Sequence, residues 1–191
     1  MQPLSKKQKI VWPDETEYFL TTSTFLHFPY FKEDTQKKIV LNKIREIEKS
    51  LGIKINDYSI AVNHFHLKFY LPKGEVMTKI KTVLHSGISR EYRKNYEVPY
   101  KDFWQSSRVY YIKDENMSWK VTGYIAGNLL KHKEVSTFEE LENNPFSSYG
   151  QLIEKYDKEM VKNLIYQVIQ IDESAENEID FGELKDVVMK K

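Results

Sequence analysis

The sequence predicts an α+β fold of ferredoxin-like plan: an antiparallel sheet built in the order β-α-β-β-α-β, with an added helix after the last strand. Three observations carry this expectation. Runs rich in aromatic and β-branched residues alternate with stretches of helical periodicity in that order. Two of the strand-like runs, "KINDYSIAV" and "HFHLKFYLP", stand side by side and read as a pair. The length of 191 residues, 40% of them hydrophobic, suits one compact domain with a tail.

The elements follow in sequence. "EYFLTTSTFLHF", Glu17 to Phe28, reads as the first strand. "EDTQKKIVLNKIREIEKSLG" is the first helix: Ile39, Leu41, Ile44, Ile47 and Leu51 recur at roughly helical spacing, and Gly52 is placed as its stop. The strand pair comes next, closed by Pro72 and Gly74. "EVMTKIKTVLHSGISREYRKNY" reads as one helix with Val76, Ile80, Val83, Ile88 and Tyr92 inward. "DFWQSSRVYYI" is the fourth strand. "DENMSWKVTGYIAGNLLKHK" is the added helix, with Asp114 and Glu115 favouring its positive N-terminal end. Two helices are expected on one face of the sheet, leaving the other face for a ligand or partner. After Lys133 come a loop with "NPFSSYG", a helix over "QLIEKYDKEMVKNLIYQVIQ" and an acidic tail. Residues 1–150 are expected to form the catalytic domain, and 151–191 a C-terminal helix and tail.

Composition narrows the function. There is no cysteine, which excludes disulfides, zinc–thiolate sites and thiol nucleophiles. No apolar run approaches the roughly 20 residues that span a bilayer, so a soluble, cytoplasmic protein without membrane contact is expected. The net charge of +1 hides an asymmetry. Through Lys133 the chain carries 23 Lys and Arg against 14 Asp and Glu, a net of +9. From Glu134 onward it carries 6 against 14, a net of −8. A basic body points to a polyanionic partner.

The chemistry concentrates in "AVNHFHLKFY". Alternation along a strand sends Phe65, Leu67 and Phe69 to one face, and His64, His66, Lys68 and Tyr70 to the other. Two imidazoles then stand side by side on a rigid element. On the added helix, Tyr124, Asn128 and His132 are spaced i, i+4, i+8 and share a face. Two nitrogens and an amide oxygen form a ligand set that suits a divalent ion acting as Lewis acid on a phosphodiester. Tyr124 is a candidate covalent nucleophile. A phenol of pKa about 10 needs a nearby cation or base, and Lys120, one turn earlier, is the candidate. The competing reading is plain: surface histidines on an exposed sheet face, and a core tyrosine among the 13 in the chain.

At these residues the sequence resembles a family. "VNHFH" resembles the histidine–hydrophobic–histidine signature of HUH endonucleases, and "YIAGN" their tyrosine helix. "YFLTTST", "FWQSSRVYYI" and "NPFSSY" resemble further elements of the single-tyrosine insertion-sequence transposases, above all the REP-associated tyrosine transposases. The resemblance spans Glu17 to Tyr149. It departs from the family pattern at Val62, Phe65 and Leu129. It implies a catalytic role for the added helix, with Tyr124 as nucleophile and His64, His66 and Asn128 as ligands of Mg²⁺ or Mn²⁺. It implies a hairpin-bearing single-stranded DNA substrate, cut and rejoined through a 5′-phosphotyrosine, and a monomer or homodimer.

The DNA contacts expected are Lys6, Lys7 and Lys9 as a basic arm, and Arg90, Arg93 and Lys94 as a phosphate track. Lys68 and Lys120, on the histidine strand and tyrosine helix, join them. Two other functions stay open: a domesticated hairpin-binding protein that does not cleave, and a replication or relaxase-type nicking enzyme of the same chemistry. A phosphodiesterase with two separate His-x-Thr/Ser motifs does not fit, because His132 is followed by Lys133 and Glu134.

Overall fold

A computed structural model of the chain describes residues 11–170. Its strands are β1 (Thr16–Thr24), β2 (Ile55–Ile60), β3 (His64–Leu71) and β4 (Trp104–Tyr111). They form one antiparallel sheet in the order β2-β3-β1-β4, the ferredoxin-like arrangement. The basic arm at Lys6, Lys7 and Lys9 and the tail after residue 170 lie outside the described residues.

Helix α1 (Asp34–Leu51) starts with a capping box between Glu33 and Gln36 and ends at Gly52, whose φ of 64° an L side chain would resist. The helix expected over 75–96 is divided. α2 (Val76–Thr82) passes into a wider π-helical turn at Val83–Gly87 and then α3 (Ile88–Asn95). The turn leaves the His85 carbonyl to accept from Trp104 Nε1 at 2.9 Å and Ser89 Oγ at 2.8 Å. Local periodicity cannot report a bond to an indole on a distant strand.

These helices cover one sheet face. Leu20, Phe65, Leu67 and Phe69 meet Ile44, Ile47, Ile80, Leu84 and Ile88 there in the main core. The other face is not left open as expected. Helix α4 (Glu115–Lys131), capped by Asp114 accepting from the Met117 N–H, lies across it and buries ten consecutive residues from Lys120 to Leu129. The continuous helix expected over 151–170 is also divided. α5 (Phe138–Glu142) is followed by α6 (Tyr149–Ile153) and α7 (Lys158–Val168). Asp157 caps α7 by accepting from the Met160 N–H at 2.9 Å, a helix start inside a helical pattern.

α7 fills the back of α4. Gly123 and Gly127 form a notch: a Cβ on Gly127 would stand 2.5 Å from Ile165 Cγ2, and one on Gly123 2.7 Å from Leu164 Cγ. Only glycine permits this approach. The division expected at 150/151 therefore falls inside α6, and residues to 168 share the core of the sheet. The Ser-Ser-Tyr element guards the outer edge of β2. The Ser148 N–H donates to the Tyr58 carbonyl at 2.9 Å, and the Tyr58 N–H to Ser148 Oγ at 3.0 Å.

Candidate active site

Strand register aligns the residues of the covered face. His66 on β3 is opposite Thr21 on β1, which is opposite Arg108 on β4. One pair further along the strands, Lys68, Phe19 and Tyr110 align in the same way. His64 and His66 share this face, their ring centroids 4.9 Å apart. Both are buried, His64 5% and His66 0% exposed, which removes the reading as surface histidines. α4 brings Tyr124 to His66, with ring centroids 5.4 Å apart, and Asn128 Oδ1 to 3.2 Å from His64 Nε2. Two imidazoles, an amide and a phenol, far apart in sequence, thus meet between β3 and α4.

A hydrogen-bond chain sets the state of His64. Asn63 Nδ2 donates to the His27 carbonyl at 3.1 Å, which turns Asn63 Oδ1 toward His64 Nδ1 at 2.7 Å. An amide oxygen only accepts, so this contact suits a proton on Nδ1 and an Nε2 lone pair available to a cation. That lone pair faces the Asn128 oxygen, also an acceptor. Two acceptors at 3.2 Å are brought together favourably by a cation between them. Adjacent donors at about 2.1 Å on an octahedral ion lie about 3 Å apart, so the spacing fits a small divalent ion. Among the described residues no three His, Cys, Asp or Glu side chains group to hold a metal. The fit rests on this nitrogen–nitrogen–oxygen set.

Other expected residues fall differently. Lys68 is 6% exposed and does not face solvent. Its Nζ donates to Thr122 Oγ1 at 2.8 Å and the Ser118 carbonyl at 3.2 Å, and lies 3.6 Å from Asp57 and 3.8 Å from Glu17. Burial raises the Asp57 pKa against the pull of Lys68. The network joins β1, β2 and β3 to α4 and leaves Lys68 no role at the DNA surface. Lys120 is also buried, at 3% exposure. Lys131 also stands over the Tyr124 ring, its Nζ 5.0 Å from the centroid. The i, i+7 spacing on α4 was the available signal for it.

On the opposite side of the sheet, Arg93 Nη2 donates to the Lys101 carbonyl at 2.8 Å and so holds the loop before β4. Arg93 also lines, with Arg90, Lys94, Lys43 and Glu46, a surface groove of about 630 Å³. His132 caps the C-terminal end of α4, and its ring lies 4.6 Å from that of His64. It is exposed and marks the solvent side of the site.

The fold and site thus define a ferredoxin-like sheet protein with paired histidines facing a tyrosine helix. The family model "Transposase IS200 like" matches residues 16–128, and the chain belongs to this family. The match ends on Asn128. No curated protein matches the chain. Among solved structures, a REP-associated tyrosine transposase bound to a REP hairpin superposes with a TM-score of 0.58 at 17% identity. That superposition covers 78% of this chain and 86% of the other, and shows a shared fold. A protein from Deinococcus radiodurans R1, provisionally described as a transposase, gives a TM-score of 0.44 at 18% identity over 63% of this chain and 95% of its own. No helix among the described residues is long and apolar enough to cross a membrane.

Proposed function

We propose that this transposase cuts and rejoins single-stranded DNA beside a hairpin, with Tyr124 as the covalent nucleophile. The observation that carries the reading is the convergence of His64, His66, Asn128 and Tyr124 at one point between β3 and α4. Mg²⁺ or Mn²⁺ held by His64, His66 and Asn128 would supply Lewis-acid polarisation of a phosphodiester oxygen. The chain's residues do the rest. The phenol oxygen of Tyr124 attacks phosphorus and the bond to the 3′-oxygen breaks. One strand end is left as a 3′-hydroxyl, the other as a 5′-phosphotyrosine. A second 3′-hydroxyl reverses the step and releases the tyrosine, so no nucleotide is consumed. Lys131 over the ring favours the phenolate that this attack requires. Tyr124 stands beside His66 of its own chain, which suits a site completed within one copy. The solved relative's hairpin supports a hairpin substrate here, and the basic body suits its phosphates.

The test is a hairpin oligonucleotide from the DNA flanking the gene, labelled 3′ of the expected nick. The chain with Mg²⁺ or Mn²⁺ should give a protein–DNA adduct that survives SDS. Chelation with EDTA and Tyr124→Phe should each abolish it. An adduct retained by Tyr124→Phe would move the nucleophile elsewhere; cleavage without adduct would make the enzyme a hydrolase.

A further inference from the structure

The chain leaves β1 through a turn that the reaction above does not explain. Leu26 and His27 both have φ near 51°. Residues with a Cβ enter this left-handed region at a cost, and two in succession are uncommon. A connection that needed only to reverse direction would use Gly or Asn. The conformation is held firmly. The Phe25 N–H donates to the Phe103 carbonyl at 2.9 Å, Thr24 Oγ1 to the Phe28 carbonyl at 2.7 Å, and Asn63 Nδ2 to the His27 carbonyl at 3.1 Å. Phe25 and Phe28 anchor both sides against Tyr100, with ring centroids 5.4 and 5.5 Å away. Between these anchors Leu26 is held outward at 61% exposure, with His27 exposed beside it.

The position gives the spur its meaning. Ser23 pairs with His64, so the turn rises from the end of the sheet at which His64 and His132 lie. The Asn63 side chain that holds the His27 carbonyl also contacts His64 Nδ1. The spur is thus two hydrogen bonds from the ligand set. Strained backbone presenting an apolar side chain beside a reacting centre is a recurrent feature of functional sites. Branched apolar side chains inserted between bases are a recurrent means of breaking a stack.

We infer that Leu26 is a wedge that unstacks the base next to the scissile phosphate, with the His27 ring as a second base contact. The inference rests on the transposase reading and adds the residue that separates the reacting step from the stem. A strand cut beside a hairpin must be kept from stacking on the stem before its phosphate can reach the ion site.

The experiment places 2-aminopurine beside the scissile phosphate of a hairpin oligonucleotide, whose emission rises when the base unstacks. Tyr124→Phe protein keeps the DNA intact. It should raise the emission several-fold, Tyr124→Phe with Leu26→Phe should do the same, and Tyr124→Phe with Leu26→Ser should lose most of the rise. In the cleaving background, Leu26→Ser should lower adduct yield about tenfold more when the step abuts the stem than when it lies in unpaired DNA. Leu26 is exposed, so circular dichroism of both variants should match the parent. Equal emission with and without the Leu26→Ser substitution at saturating binding, or equal reductions on the two substrates, would overturn the wedge. Emission reads unstacking without cleavage, so it stands apart from the covalent reaction: no adduct from the unaltered chain on either substrate would overturn that reaction instead.

Discussion

Asn63 controls more than its size suggests. Its Oδ1, 2.7 Å from His64 Nδ1, suits a proton on that nitrogen and a basic Nε2 toward Asn128. Groups that orient a ligating imidazole commonly account for 10–100-fold in metal affinity. Asn63→Ala should weaken Mn²⁺ binding by about that factor, read by electron paramagnetic resonance, while Asn63→Asp, which keeps an acceptor, should lose less. His85 shows the opposite use of an imidazole. Burial, with a smaller push from Lys81, lowers its pKa from 6.5 to about 4, and its Nε2 is 3.3 Å from Thr22 Oγ1. The unfolded chain therefore binds a proton at a pH where the folded one does not. Stability should fall as pH drops from about 6.5 and level off below about 4, by no more than about 3 kcal/mol. Denaturant titrations of the parent and His85→Gln should differ in slope across that window and run parallel above it.

At the scale of elements, α4 is held at three places. Its start is tied to the sheet by Lys68, Asp57 and Thr122, with Thr122 Oγ1 donating to Asp57 Oδ2 at 2.8 Å. Its back accepts α7 in the Gly123 and Gly127 notch. Beyond its end, Glu134 accepts from Lys37 Nζ at 2.5 Å and from the Val62 N–H at 2.7 Å, joining α4 to α1 and to the loop before His64. These ties fix the rotation that points Tyr124 and Asn128 at the histidines. Gly127→Ala forces α7 outward and should cost about 1–3 kcal/mol of stability, read from the denaturant midpoint. Adduct formation should fall further than the unfolded fraction explains, because the same shift moves Asn128 off His64. A variant as active as the parent once folded would mean that α7 does not position α4.

Across the whole molecule, one basic groove and the site lie on opposite sides of the sheet. Arg90, Lys94 and Lys43 line a groove on the outer surface of α1 and α3, while His64 and Tyr124 lie under α4 on the other side. Hairpin phosphates on that groove would show in the salt dependence of binding. Replacing Arg90 and Lys94 with Gln should lower the log–log slope by roughly 1.5–2 units, about one for each phosphate no longer neutralised. Arg93→Gln should in addition loosen the loop before β4, because its guanidinium holds the Lys101 carbonyl. An unchanged slope in the double variant would return those two charges to the solvent.

Elements set by local rules were legible in the sequence. The succession of the four strands along the chain, the α1 stop at Gly52 and the Asp114 start of α4 each depend on residues within a few positions of one another. So do the two faces of β3, since alternation needs no partner, and the i, i+4 pairing of Tyr124 with Asn128. The motif residues could be named for the same reason. Contacts between distant segments were not legible. Lys68 reads as a surface base until β1, β2 and α4 surround it with Glu17, Asp57 and Thr122. Lys131 goes unnoticed beside Tyr124 until the helix is rotated against the sheet. The break at Asp157 hides within a helical pattern because a cap and a helix interior differ only in where the chain must turn. Tertiary packing decided these, since burial, ion pairing and helix rotation are set by which segments meet, and a linear pattern records only what each segment offers.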